Sequence, residues 1–437
     1  MPTPFTVPDP MLDALATGYG GEAAVRRLFD GQRSRRRLLL TLVSRELPPS
    51  AVRDLHDVEA AAPHVIADLM NEPLVGAGTM RIARQLAQHG TDPAALAAAH
   101  RYVAALTVVA ALRSGLGVRL TIAPSGGWLS LPTLGRFPAA GPVLVEVGGG
   151  TALVGGRALT EVPGWQPVRR IRVGAGPDTG PGPGSGGGPT LDVAFDDVEE
   201  ARQLFHIAAA GHLAALDHRR WERMLGSAWR LVTDRLPDRA TELAAELRTL
   251  IPLARPEPRA ARSGTAHDAV GAIGLDFATS PADCAVTLIH EFQHSKLAAL
   301  TEMTALHHPS DDARFFAPWR EDPRPIGALL QGIYAFLGVA DAWRAFAGDP
   351  AVHADAARLF AGTRAEIRAA AQSLVGADDL LTPAGQRFAA GLDRAITDLE
   401  AVPVPAGLAD QADAGIARKR QAWVDRGQRL RARRVLG

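Results

Sequence analysis

Cysteine is almost missing from this chain of 437 residues, where Cys284 stands alone. No intrachain disulfide can form, and one thiol cannot build an iron–sulfur cluster or a multi-cysteine zinc site. A buried packing role is expected for it. Lysine is nearly as scarce, present only at Lys296 and Lys419, so arginine carries almost all the positive charge. Neither sign of charge is in excess: 47 basic side chains face 47 acidic ones. That balance points away from nucleic acid and from a membrane surface as partners. Residues 1–10 lack the charged and apolar pattern of a signal peptide, and no apolar run approaches a membrane span. Cytoplasmic residence is the expectation. A hydrophobic content of 47% is ample for a globular core, and the length suits two or three domains or one large enzyme with appended subregions.

Residues 11–47, 49–71 and 80–115 read as helices, with the Ala-Leu-Val run at 96–112 buried. Arg33, Arg35, Arg36 and Arg37 read as a solvated basic face. From Leu116 to Phe195 short alternating runs are broken by Gly and Pro, which predicts strands at 118–122, 128–131, 143–147 and 171–173. The segment 174–189 is nearly all Gly, Pro and Ser and reads as a flexible tether. Residues 197–255 return to helix, with Trp221 and Trp229 as core anchors. His206, His212 and His218 are spaced by about six residues, which does not put them on one helix face. A polar loop with a short strand spans 261–279, and 350–437 reads as amphipathic helix. The expected partition is a helical region 1–115, a β-rich region 116–195 containing the flexible loop, and a helical region 196–437.

The run His290-Glu291-Phe292-Gln293-His294 carries chemistry. It is an H-E-x-x-H motif, and on a helix its two imidazoles lie one turn apart on one face, where both can reach a single metal ion. Ser280-Pro281 and Asp283 mark the helix start. Ile289, Phe292, Leu297, Leu300 and Met303 repeat near the helical period. The fold class that follows is α+β, mostly helical, with a β-rich middle and a zincin-like HExxH helix in the C-terminal half. The bland alternative is a buried helix whose histidines bond to neighbours, and the full triplet at this spacing favours the metal.

Two chemistries remain open. In a zinc hydrolase Glu291 serves as general base toward a metal-bound water. Such a site needs a third ligand, and the extended motif is broken because Leu297 and Leu300 stand where Gly and His belong. The helix expected at 326–346 offers Gln331 and Asp341; Glu302, Glu321, His307 and His308 are further donors. In a non-haem iron oxygenase, two histidines and one more group leave positions for a co-substrate and oxygen. A dicarboxylate co-substrate needs a cation, which Arg320 and Arg324 in the proline-stiffened segment 315–325 can supply. His267 and Asp268 are candidates to line either site.

Four ordered blocks resemble the bacterial HExxH peptide-modification family associated with maturation of ribosomally made peptides. They are Ser263-Gly264-Thr265-Ala266-His267-Asp268-Ala269-Val270-Gly271, then Leu288-Ile289-His290-Glu291-Phe292-Gln293-His294-Ser295-Lys296-Leu297. The third is Phe316-Ala317-Pro318-Trp319-Arg320-Glu321-Asp322-Pro323-Arg324-Pro325, and the last Leu329-Leu330-Gln331-Gly332-Ile333-Tyr334-Ala335-Phe336. The resemblance implies an Fe(II)- and 2-oxoglutarate-dependent β-hydroxylase acting on a precursor peptide, with a separate radical peptide-modifying enzyme as a possible partner. Carried over by position, His290 and His294 bind iron, Arg320 and Arg324 meet 2-oxoglutarate, and Glu291 has an indirect role. Gln331 takes the third-ligand position, where hydroxylating members carry His. A degenerate, peptide-binding subunit is the other outcome consistent with that Gln.

Overall fold

The computed structural model describes residues 6–90, 92–174, 188–205, 207–254, 262–309 and 314–435. Six helices open the chain: α1 (Asp9–Ala16), α2 (Gly21–Arg45), α3 (Pro49–Ala61), α4 (Pro63–Asn71), α5 (Pro73–His89) and α6 (Pro93–Ser114). Where the sequence predicts unbroken helix over 11–47, the chain turns at Gly18, Gly20 and Gly21, all with positive φ. The stretch 49–71 breaks at Pro63, and 80–115 breaks after Gly90 (φ 58°). Proline explains most of the starts. α3 to α6 each begin on one, where the missing N–H is no loss because the first turn leaves its donors unpaired.

The middle of the chain is β-rich as expected. β1 (Val118–Ile122), β4 (Val143–Gly148), β5 (Thr151–Val154) and β6 (Arg157–Ala158) form one antiparallel sheet. β2 (Trp128–Leu131), β3 (Gly135–Pro138) and β7 (Gln166–Pro167) form a second. β8 (Arg169–Val173) and β9 (Leu191–Phe195) leave this region to join a third sheet with β10 (Thr249–Pro252), β11 (Ser263–Gly264) and β12 (Ala272–Leu275). Its order is β11-β12-β10-β9-β8; β9, β10 and β12 are mutually parallel, and both edge strands run antiparallel. β10 lies in a stretch that reads as helix. All four of its residues are buried, and a short apolar run buried on both faces has no strand-like alternation to reveal it.

α7 (Ala215–Arg235) and α8 (Pro237–Glu246) precede β10, while α9 (Pro281–Met303) and α10 (Ile326–Phe346) follow the sheet. α11 (Ala356–Ala371), α12 (Pro383–Glu400) and α13 (Ala406–Val435) close the chain. The fold is α+β and mostly helical. Of the predicted tether 174–189, residues 175–187 lie outside the described residues, as does His206.

Two large apolar cores divide the molecule differently from the sequence partition. One collects α3 to α6 and the strands of the first two sheets, including Val65, Val108, Leu129 and Val145. The other joins α1, the third sheet and the helices from α7 onward, including Trp229, Phe195, Leu288 and Phe388. α2 belongs to both: Val25, Leu28 and Phe29 pack in the second core, Leu40 and Val43 in the first. Between those stretches the arginine cluster is not a solvated face. Arg36 is buried and donates to the carbonyls of Met70 (3.1 Å) and Val270 (2.6 Å). Arg33 pairs with Glu246, Arg35 with Glu302 and Arg37 with Glu59.

The absence of a membrane-length apolar run is also corrected. α6 and α10 are long and apolar enough to cross a membrane by length and composition, but both are mostly buried inside the protein. They are hydrophobic on most faces because other elements surround them.

Candidate metal centre

α9 starts where its sequence signals place it. Ser280 caps the helix, its hydroxyl accepting from the Asp283 amide (3.1 Å), and Pro281 fills the first turn. One turn apart, His290 and His294 turn the same way, with their Nε2 atoms 3.2 Å from each other. Metal–imidazole bonds of about 2.0–2.1 Å, opened at about 90–110°, place two nitrogens roughly 2.8–3.4 Å apart. The observed separation fits one shared cation. Burial, and then the neighbouring His294 ring, push the His290 pKa down to about 3, so the imidazole is neutral and its lone pair is free for a metal at neutral pH.

Gln331, on α10, comes to the pair on the other side of the ring. Its Oε1 lies 3.0 Å from His294 Nδ1. In that arrangement Nδ1 carries the proton and donates to the amide oxygen, so the lone pair sits on Nε2. The sequence offers Gln331 as a third ligand; here its oxygen is bonded to the far side of the His294 ring, away from the two facing Nε2 atoms. Gly332, next to it, is required by packing: a Cβ there would stand 2.2 Å from Cζ2 of Trp319. Trp319 stacks on Phe336 with ring centroids 4.7 Å apart, and Phe336 meets His290 edge-on at 5.2 Å. This aromatic pair forms one apolar wall of the site.

Glu291 is buried and close to the pair, with Oε1 4.0 Å from His290 Nε2. Both of its oxygens are already engaged. Oε1 accepts from the Ser263 hydroxyl (2.7 Å) and Oε2 from the Thr265 hydroxyl (2.6 Å). Ser263 lies on β11 and Thr265 directly follows, so the edge of the third sheet clamps the carboxylate against α9. Sequence reasoning missed both hydroxyls. They stand in a polar loop without periodicity, and only the pairing of β11 with β12 brings them to the helix.

Arg320 and Arg324 stand on a turn closed by reciprocal backbone bonds between Phe315 and Arg324 (2.8 and 3.1 Å). Both point to Asp322, at 3.0 and 2.8 Å, and Arg320 is more than half exposed. The Arg324 contact leads in holding the Asp322 pKa at about 2. Neither arginine reaches the histidines in this arrangement. Among the described residues, no third His, Cys, Asp or Glu joins the pair. Glu302 is taken by Gln32 and Arg35, Glu321 by Arg426, and His307 packs against Gly327. His267 lies 3.3 Å from Glu302, and Asp268 pairs with Arg84. Asp341 bonds Arg239 and Arg344. Cys284 is buried as expected, its thiol pushed up to about 12 by burial.

The back of α9 is polar as well as buried. Gln293 and Lys296 both donate to the carbonyl of Gly18, at 2.9 and 3.2 Å. Lys296 also reaches the Tyr19 carbonyl and Glu242, each at 2.7 Å. Arg239, stacked 3.7 Å over the Tyr19 ring, adds a further donor to Gly18. The glycine turn between α1 and α2 is thereby bound to the helix that carries the histidines.

No family model matches this sequence, and no curated protein matches it either.

Proposed function

We propose that the chain is a metal-dependent enzyme that modifies a ribosomally made precursor peptide, with Fe(II) and 2-oxoglutarate used to hydroxylate a side-chain β-carbon. The observation that carries this reading is the facing pair of Nε2 atoms beside a glutamate whose two oxygens are already bonded to hydroxyls. An oxygenase asks for two imidazoles and open coordination positions, and it does not ask for a free carboxylate base. When bound, iron with the oxo acid and oxygen supplies the oxidising power. The protein's own part is to hold His290 and His294, with Gln331 fixing the second ring. Phe336 and Trp319 keep water from one side, and Glu291 joins α9 to the sheet edge. Arg320 and Arg324 already grip one carboxylate, that of Asp322, so a role in holding 2-oxoglutarate requires that carboxylate to be displaced.

The 4.0 Å approach of Glu291 to His290 favours a second reading, a zinc peptidase with Glu291 as base. The lack of a third acidic or histidine ligand among the described residues favours a third, a degenerate subunit that presents the peptide to another enzyme. One experiment separates them. Protein prepared without oxygen is loaded with Fe(II) and titrated with 2-oxoglutarate, and a zinc-loaded sample is assayed for casein cleavage. The oxygenase reading expects saturable co-substrate binding that His290→Ala abolishes, and no cleavage. Cleavage lost in Glu291→Gln replaces it with the peptidase, and absence of both activities leaves the binding subunit.

A further inference from the structure

A second cleft opens between α5, α6, the β1–β3 segment and the 3₁₀ turn Glu200–Phe205, with a volume of about 420 Å³. That size lies within the range of small-molecule pockets. None of its lining residues comes from α9, α10 or β11, so it stands apart from the histidine pair and does not depend on the function proposed above.

Its walls carry positive charge that the fold leaves unused. Among the described residues, Arg101 has no hydrogen-bond or ion-pair partner. Arg136 spends its Nε on the Gln166 side chain (2.9 Å) and lies 4.3 Å over the Trp128 ring, with no carboxylate partner among the described residues. Arg81 is paired with Glu200 at 3.2 Å, yet its buried Nε has no partner, and neither has the buried Oε1 of Gln85 one turn along α5. Buried polar atoms left unsatisfied cost free energy, and few remain so without a role. Two carboxylates also line the cleft. Glu200 is matched by Arg81, and Glu199, buried and beside Asp196, has its pKa raised to about 7, which leaves it only partly ionised at neutrality.

We propose that this cleft is a second ligand site, for a small molecule carrying an oxyanion group, carboxylate or phosphate, gripped by Arg101 and Arg136. A guanidinium presents paired N–H donors that match either group in a bidentate contact. Arg136 is already oriented for it by Gln166 and by the indole beneath.

The test uses the full-length protein freed of metal by a chelator, titrated separately with inorganic phosphate and with succinate and followed by calorimetry. Saturation by one of them is expected, and which one saturates names the group. Arg101→Glu and Arg136→Gln are expected to weaken that binding roughly tenfold or more, the scale of a lost charge-assisted bond. His290→Ala is expected to leave it unchanged. Arg101 makes no contact that the fold needs, so its variant remains informative if Arg136→Gln fails to fold. The proposal is overturned if neither anion saturates below about 10 mM, or if Arg101→Glu binds as tightly as the parent.

Discussion

If the histidine pair holds a metal as proposed, a single amide prepares it to do so. His290 and His294 were legible because their spacing is a property of the helix itself. Gln331 was noticed in the sequence as well, but its role depends on which imidazole nitrogen it meets, and sequence carries no such information. At 3.0 Å from His294 Nδ1 it sets the tautomer and the ring plane. Gln331→Leu keeps both imidazole Nε2 atoms, yet under the metal reading proposed above it is expected to lower Fe(II) or Zn(II) affinity about 10- to 100-fold. Competition with a chelator of known affinity measures it. Unchanged affinity would show that His294 is oriented by something else.

At the level of elements, α9 was placed almost to the residue by its cap, its proline and its apolar period. Its neighbour α10, Ile326–Phe346, was placed as well, but the sheet beside them was not. The strands β9, β10 and β12 are parallel, with α7 and α8 between the first two and the segment 253–271 between the last two, so no local pattern predicts that they meet. The contacts behind α9 were equally hidden. Lys296, one of two lysines in the chain, is fully buried against Glu242. Burial lowers its pKa to about 8. Lys296→Met removes the nearest cation from the buried Glu242 carboxylate, leaving it Arg239 at 3.9 Å, and is expected to cost up to about 3–5 kcal/mol, seen as a lower denaturation midpoint. Adding Glu242→Leu should recover much of that loss, because an apolar pair replaces a buried ionic one. If the single variant is as stable as the parent, the ion pair does not anchor the helix.

Across the whole molecule, buried acids shape the response to pH. Burial raises the pKa of Glu199 from 4.5 to about 7, and shifts Asp196, Glu72 and Glu246 in the same direction. A carboxyl whose folded pKa is raised holds its proton more tightly in the native state. Its contribution is complete below about pH 4.5 and is lost as pH rises through about 7. At about 1.4 kcal/mol per unit, Glu199 alone accounts for up to ~3 kcal/mol of that decline. Glu199→Gln should flatten this slope and be more stable than the parent at pH 8, as equilibrium unfolding at several pH values would reveal. An unchanged slope would mean that Glu199 ionises normally.

The long helix α2 has a mechanical corollary. It runs through both apolar cores, and at its middle Arg36 is sewn to α4 through Met70 and to the approach to β12 through Val270. Heat cannot loosen one half while the other stays intact, because each would tear the same rod. Scanning calorimetry should therefore trace one endotherm, and Arg36→Leu, which unpicks the stitch, should split it in two.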